Sequence, residues 1–250
     1  MPISSSRPTP WRPSLPAAAL LVLATWASAP VSAAPVTVDA GAFQATYDTS
    51  RFLGGYGVFQ LNQFIAAETS PSSAFSVTTG ADSLVVSLGA DAVKGLISPY
   101  YRYEGTFSLP LTLLADRPAD TLFQIEVSTT LSGVAPQQAI APITGTLSAK
   151  DSTGAATTLA QLNLIYPLSG ATPPLTSVLK GTFSAAQGLS ELRLNLTLPG
   201  GFTPRTSPAP TLSVNSFTIK AVSAVPEPAQ AGLFALGMVA LGLMRRARSH

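Results

Sequence analysis

The chain contains no cysteine, and its only histidine is His250, the last residue. Ser–His and Cys–His nucleophilic pairs need an imidazole beside the nucleophile, and the usual zinc sites draw on both residue types. Those chemistries are therefore excluded from the body of the chain. No disulfide can staple the fold, so a domain must stand on packing alone. Charge is scarce too: 10% of residues are Asp, Glu, Lys or Arg, against about 25% in an ordinary soluble domain. Both tryptophans, Trp11 and Trp26, sit in the N-terminal segment. There is no internal repeat of fixed period.

The charge that is present is unevenly placed. The formal charge is +2, but Arg7 and Arg12 lie near the start and Arg245, Arg246 and Arg248 near the end. Between Ala34 and Val225, nine Lys or Arg stand against eleven Asp or Glu, a net −2. The nine bases are scattered singly. Nucleic-acid binding needs a clustered basic face on the folded domain, so no nucleic-acid partner is expected.

Residues 1–33 have the order of a secretory signal. Arg7 and Arg12 supply a positive leader, Ala17 to Ala24 an apolar core, and Val31-Ser32-Ala33 the small residues that signal peptidase inspects. Cleavage is expected after Ala33, because cleavage after Ala29 would leave Pro30 first. The core is short for an uncleaved membrane helix. Removing this segment leaves a domain over 34–223 and a tail over 224–250.

The tail is the most specific feature. Val225-Pro226-Glu227-Pro228 is followed by Ala229-Gln230, an apolar stretch from Ala231 to Met244, and Arg245-Arg246-Ala247-Arg248. The prolines fix the backbone around Glu227 and deny it helix or ladder hydrogen bonds. The fourteen residues of 231–244 span about 21 Å as a helix, short of a roughly 30 Å hydrocarbon core. Gln230 and snorkelling arginines extend it, and the arginines at 245–248 are expected to stay cytoplasmic, leaving the domain outside.

This order of parts resembles the PEP-CTERM sorting signal of Gram-negative bacteria, carried here by Pro226, Glu227, Pro228, the apolar helix and the basic stop Arg245, Arg246, Arg248. The resemblance covers the last 26 residues or so. It implies transient insertion in the inner membrane and processing by exosortase, a membrane-embedded protease that cuts near the motif. The logic parallels a GPI signal, whose hydrophobic tail is discarded. The glycines Gly232, Gly237 and Gly242 recur at a spacing of five, which does not keep them on one helix face.

The middle is written in period two. Leu192, Leu194, Leu196 and Leu198 alternate with polar residues, as do Phe123, Ile125 and Val127, and Tyr101, Tyr103, Phe107 and Leu109. That is the pattern of strands with one buried face. In the last run Leu212 and Val214 give way to Phe217, Ile219 and Ala221, which predicts a β-bulge near Asn215-Ser216. Turn residues punctuate the runs, Gly54-Gly55 and Pro199-Gly200-Gly201 among them. The expectation is an all-β domain: a jelly-roll-like, two-sheet antiparallel sandwich of ten or so strands, with a signal helix before it and a short membrane helix after it. Leu61–Glu68 and Gly89–Leu96 are the only helix-like stretches.

Within the domain, chemistry is hard to find. Gly54-Gly55-Tyr56-Gly57 lacks the P-loop lysine and reads as a turn between strands. Glycoside hydrolysis would need two carboxyls across a cleft; Glu104 and Glu126 fall on polar strand phases, and Asp116 and Asp120 flank Arg117 in a loop. A calcium site joining Asp39 to Asn215 would need six to eight oxygens, with only backbone carbonyls to complete it. Tyr101 and Tyr103 share the phase of Phe107 and belong to the core, which leaves Tyr100 exposed beside Arg102 and Glu104. Tyrosine can stack on a sugar ring while arginine and glutamate bond its hydroxyls.

The leading expectation is a non-catalytic, exported protein of the envelope or extracellular matrix, structural or adhesive and associated with exopolysaccharide or biofilm; that role follows from the resemblance. It needs no cofactor and no metal. The alternative is a carbohydrate-binding module contacting glycan through Tyr100, Arg102 and Glu104. A third reading is a glycan hydrolase using paired carboxylates.

Overall fold

The computed structural model describes residues 34–98, 100–133, 140–166, 174–200 and 210–223. The expected signal segment, sorting motif, membrane segment and basic stop all fall outside the described residues. Among the described residues fourteen strands, all paired antiparallel, form two sheets. Sheet I contains β1 (Val36–Asp39), β2 (Phe43–Tyr47), β3 (Leu53–Gln60), β4 (Gln63–Thr69), β8 (Arg102–Ala115), β10 (Ile140–Asp151), β11 (Ala156–Tyr166) and β13 (Leu189–Leu198). Sheet II contains β5 (Phe75–Gly80), β6 (Ser83–Leu88), β7 (Gly95–Leu96), β9 (Thr121–Ser132), β12 (Leu175–Ser184) and β14 (Thr211–Ser223). From β8 onward the chain changes sheet at every connection except the β10–β11 hairpin.

The alternation of residues produces the core directly. Phe123, Ile125, Val127 and Leu131 of β9 are fully buried, as are Leu192, Leu194 and Leu198 of β13. Each such side chain contributes about 1.5–3 kcal/mol by leaving water. The sheets meet face to face: Phe43 of sheet I packs edge-on against Phe123 of sheet II at 5.3 Å. Phe52, just before β3, does the same with Phe75 of β5 at 5.7 Å.

β8 is the hub of sheet I. One flank pairs with β13; the other is shared end to end by β3, along 102–108, and β2, along 111–115. Pro110 stands in the gap between those two partners. A proline has no N–H to give a ladder, so the break in pairing falls where the sequence needs it.

Two helix-like stretches are not helices. Leu61–Glu68 is the turn and second strand of the β3–β4 hairpin, whose two-residue turn holds Leu61 and Asn62 at φ 49° and 66°. The spacing of Leu61, Phe64, Ile65 and Glu68 mimics a helical stripe, but Leu61 is 93% exposed and there is no core for such a stripe to cover. The long-range ladder from β8 to β3 prevails over the local pattern. Gly89–Leu96 is a turn, with Ala92 N–H donating to the Gly89 carbonyl, that leads into the short β7. Gly54-Gly55 is likewise not a turn but lies inside β3. A Cβ on Gly55 would sit 2.3 Å from the carbonyl oxygen of Glu68 on β4, so glycine is there for close backbone approach.

The predicted bulge is present. The register of β14 on β9 shifts between Val214 and Ser216, leaving Asn215 as the extra residue. Its amide donates to Thr130 Oγ1 at 2.7 Å and to Ser128 Oγ at 3.3 Å. At the end of β10, Asp151 Oδ1 accepts from Thr153 Oγ1, Thr153 N and Ala155 N. The Thr153 hydroxyl is the largest of the effects holding this carboxyl below its ordinary 3.8. Thr153→Val should raise the Asp151 titration midpoint, read from its side-chain carboxyl resonance by NMR; an unmoved midpoint would show that the backbone donors alone suffice.

Candidate functional site: the outer face of sheet I

Alternation along β8 buries Tyr103 and turns Arg102 and Glu104 outward. The two side chains form an ion pair at 2.9 Å, with 37% and 45% of their surfaces exposed. A pair so open to solvent contributes only about 0–1 kcal/mol to stability. The register of β3 on β8 sets Phe59 opposite Arg102, and the guanidinium carbon lies 5.2 Å from the ring centre. On β4, Phe64 is paired with Phe59, ring edge to ring face at 5.6 Å. The hairpin turn adds Asn62, whose Oδ1 accepts from Arg102 Nη1 at 3.1 Å. Gly57 lies beneath: a Cβ there would meet the Phe59 ring at 3.1 Å and the Phe64 ring at 3.6 Å.

The structure therefore brings Arg102 and Glu104 together and joins them to Phe59, Asn62 and Phe64, which the sequence did not single out. The positions of Asn62 and Phe64 were obscured by the helix-like spacing of the hairpin. Tyr100 is 73% exposed, as expected. Its ring contacts Tyr101, half-buried, at 6.5 Å, and no hydrogen bond or ring contact among the described residues ties it to Arg102 or Glu104. Tyr103 belongs to the core, and burial raises its phenol above the ordinary 10.0, with Glu68 and Tyr101 adding to the rise.

The other candidate acids are dispersed. Glu104 belongs to sheet I and Glu126 to sheet II, each on its outward face, so the sandwich stands between them. Glu126 is held by Lys180 at 2.9 Å and Gln124 at 2.9 Å, and its carboxyl lies below the ordinary 4.5, chiefly through the Lys180 bond. Asp116 and Asp120 occupy the exposed β8–β9 turn. Asp39 closes on the Gly41 amide at the edge of sheet I, whereas Asn215 is in sheet II. Among the described residues no three His, Cys, Asp or Glu side chains converge on a common point.

A second polar array lies farther along the same face. Glu191 of β13 accepts from Ser108 Oγ at 2.6 Å and from Arg193 Nε at 3.1 Å, and pairs with Lys150 of β10. On sheet II the bulge borders a cavity of about 190 Å³ between the 89–94 segment and β14, lined in part by Lys94, Ser213 and Asn215.

No family model matches this chain. No curated protein sequence matches it. Among solved structures it is similar to the CBM22-1 xylan-binding domain from Paenibacillus barcinonensis Xyn10C, at 18% identity over 60% of this chain and 82% of that one, with a TM-score of 0.28. A likeness at that score decides nothing about fold or ligand. The two-sheet architecture stands on the strand pairing described above.

Proposed function

We propose that this chain is an exported, non-catalytic protein of the cell envelope or extracellular matrix. Signal peptidase cuts after Ala33, and an exosortase-type membrane protease removes the tail near Pro226-Glu227-Pro228. The jelly-roll-like domain then serves a structural or adhesive role alongside exopolysaccharide. The observation that carries this reading is the order of parts in the tail: a Pro-Glu-Pro entry, an apolar stretch over 231–244, and Arg245, Arg246 and Arg248. The fold is compatible with the cut. β14 is an inner strand of sheet II, between β9 on one side and β6 and β7 on the other, and it ends at Ser223 ahead of the motif. Losing the tail would leave every described strand in place.

The test is the intact mass of the protein recovered from its host, with cell fractionation. A species running from Ala34 to near Pro226–Pro228, in the envelope or medium, is expected. A species that keeps 231–250 and stays in the inner membrane would make the tail a plain anchor and end the sorting proposal.

A second reading, a glycan-binding domain, is favoured by the exposed Arg102–Glu104 pair on the outer face of sheet I. It is compatible with the first, since an adhesive matrix protein must hold some matrix component.

A further inference from the structure

We infer that the β3–β4 hairpin and the start of β8 form a stacking platform for a ring of a neutral glycan, with Phe64 as the stacking surface. This rests on the glycan-binding reading and moves its centre from Tyr100 to Phe64. The Phe64 side is half exposed, 50% by residue. The ring is fixed by its edge-to-face contact with Phe59 and by the glycine beneath both rings. A side chain held that way loses little freedom on binding, which is what a weak, repetitive ligand requires.

The polar rim selects the ligand class. Arg102 carries donors, Glu104 carries acceptors and Asn62 carries both. Arg102 and Glu104 neutralise each other, so the site has no net charge to offer. A phosphate or uronate would meet an arginine already committed to a carboxylate. An anionic bilayer surface would find no free cation in the cluster. A protein partner would need a much larger apolar area than the two phenyl rings and the exposed Leu61 of the turn supply together. A neutral pyranose fits: its C–H face packs on an aromatic ring, and its hydroxyls, donor and acceptor at once, reach sideways to fixed polar groups. The arginine is positioned for that role by three contacts, the Phe59 ring, Asn62 and Glu104.

The exposed hairpin turn agrees with a functional use of this end. Leu61 and Asn62 hold positive φ, a conformation that brings a leucine's Cβ too close to the following carbonyl oxygen. Holding the turn in that shape keeps Asn62 Oδ1 on Arg102.

The test is affinity electrophoresis of the full chain through gels containing xylan, mannan, dextran or hydroxyethyl cellulose, with alginate and polygalacturonate as acidic comparators. At least one neutral polymer should retard the protein. Phe64→Ala should weaken that retardation about tenfold, Phe64→Trp should keep or strengthen it, and Tyr100→Ala should leave it within about twofold. Phe64 lies on an exposed edge strand, so loss of fold is not expected; circular dichroism of each variant checks this. Retardation abolished by Tyr100→Ala and untouched by Phe64→Ala would overturn the platform while sparing the glycan reading. Preference for the acidic polymers would overturn the neutral ligand class. No retardation by any polymer would overturn both readings together.

Discussion

Tyr56→Ala is expected to lower the free energy of unfolding by about 3–5 kcal/mol, the range for emptying a large aromatic site. Tyr56 is 1% exposed and is the largest of the fully buried side chains among the described residues. Its ring is clasped from both sheets. A Cβ on Gly105 of β8, or on Gly95 of β7, would come within 2.6 Å of its Cε1 atom. Phe107 meets it edge-on at 5.7 Å, and its hydroxyl reaches the Leu212 carbonyl on β14 at 3.4 Å. Burial pushes the phenol well above its ordinary 10.0, so it remains a neutral donor. The bond is long, and Tyr56→Phe should cost no more than about 1 kcal/mol. Gly105→Ala should cost about 1–3 kcal/mol by overpacking. In a Tyr56→Ala background most of that penalty should disappear, because the new methyl then enters the vacated space. Urea unfolding of the four species measures the coupling. Equal penalties for Gly105→Ala in both backgrounds would mean that the ring is not what excludes a side chain at position 105.

Glu191→Gln is expected to cost about 1–3 kcal/mol near neutral pH and to flatten the acid limb of the stability profile. Glu191 is the hub of its array, and its side chain is only 13% exposed. Burial by itself would raise its pKa, but bonds from Lys150 and Ser108 and the charge of Arg193 outweigh it, leaving the carboxyl below its ordinary 4.5. A folded-state value below the unfolded one means that the native protein resists the proton. The stability this provides is complete above about pH 4.5 and is lost as pH falls through the folded-state value. Glutamine keeps the shape and a bond to Ser108, yet leaves Lys150 and Arg193 without their shared counter-charge. Glu126 and Asp151 also lie below their ordinary values, so the wild-type profile alone mixes several groups. The difference between wild type and Glu191→Gln isolates this one. A difference that stays constant from pH 7 to pH 3 would show that the carboxylate's charge contributes nothing.

Neither Tyr56 nor Glu191 stands out in the sequence. Tyr56 sits in a glycine-rich run that reads as a turn, because local rules treat Gly54-Gly55 as a break. In the folded chain Gly54 lies against Phe107 and Phe75, and Gly55 against the Glu68 carbonyl. The first contacts join strands far apart in sequence, and the second forms only when β4 folds back on β3. Glu191 reads as one polar residue in an alternating strand; its value comes from β10 and β8 lying on either side of β13.

What the sequence by itself determined is whatever depends on neighbours along the chain. Period two marked β8, β9, β13 and β14 as strands with one buried face, because a pleated strand turns successive side chains to opposite sides. The phase change after Val214 located the bulge for the same reason. The order of motif, apolar stretch and arginines in the tail is likewise linear information. Tertiary structure decided the rest. Which strand lies beside which is settled by long-range burial and backbone pairing, and that choice turned a helix-like stretch into β4, placed two glycines around Tyr56, and gathered Phe59, Asn62 and Phe64 about Arg102.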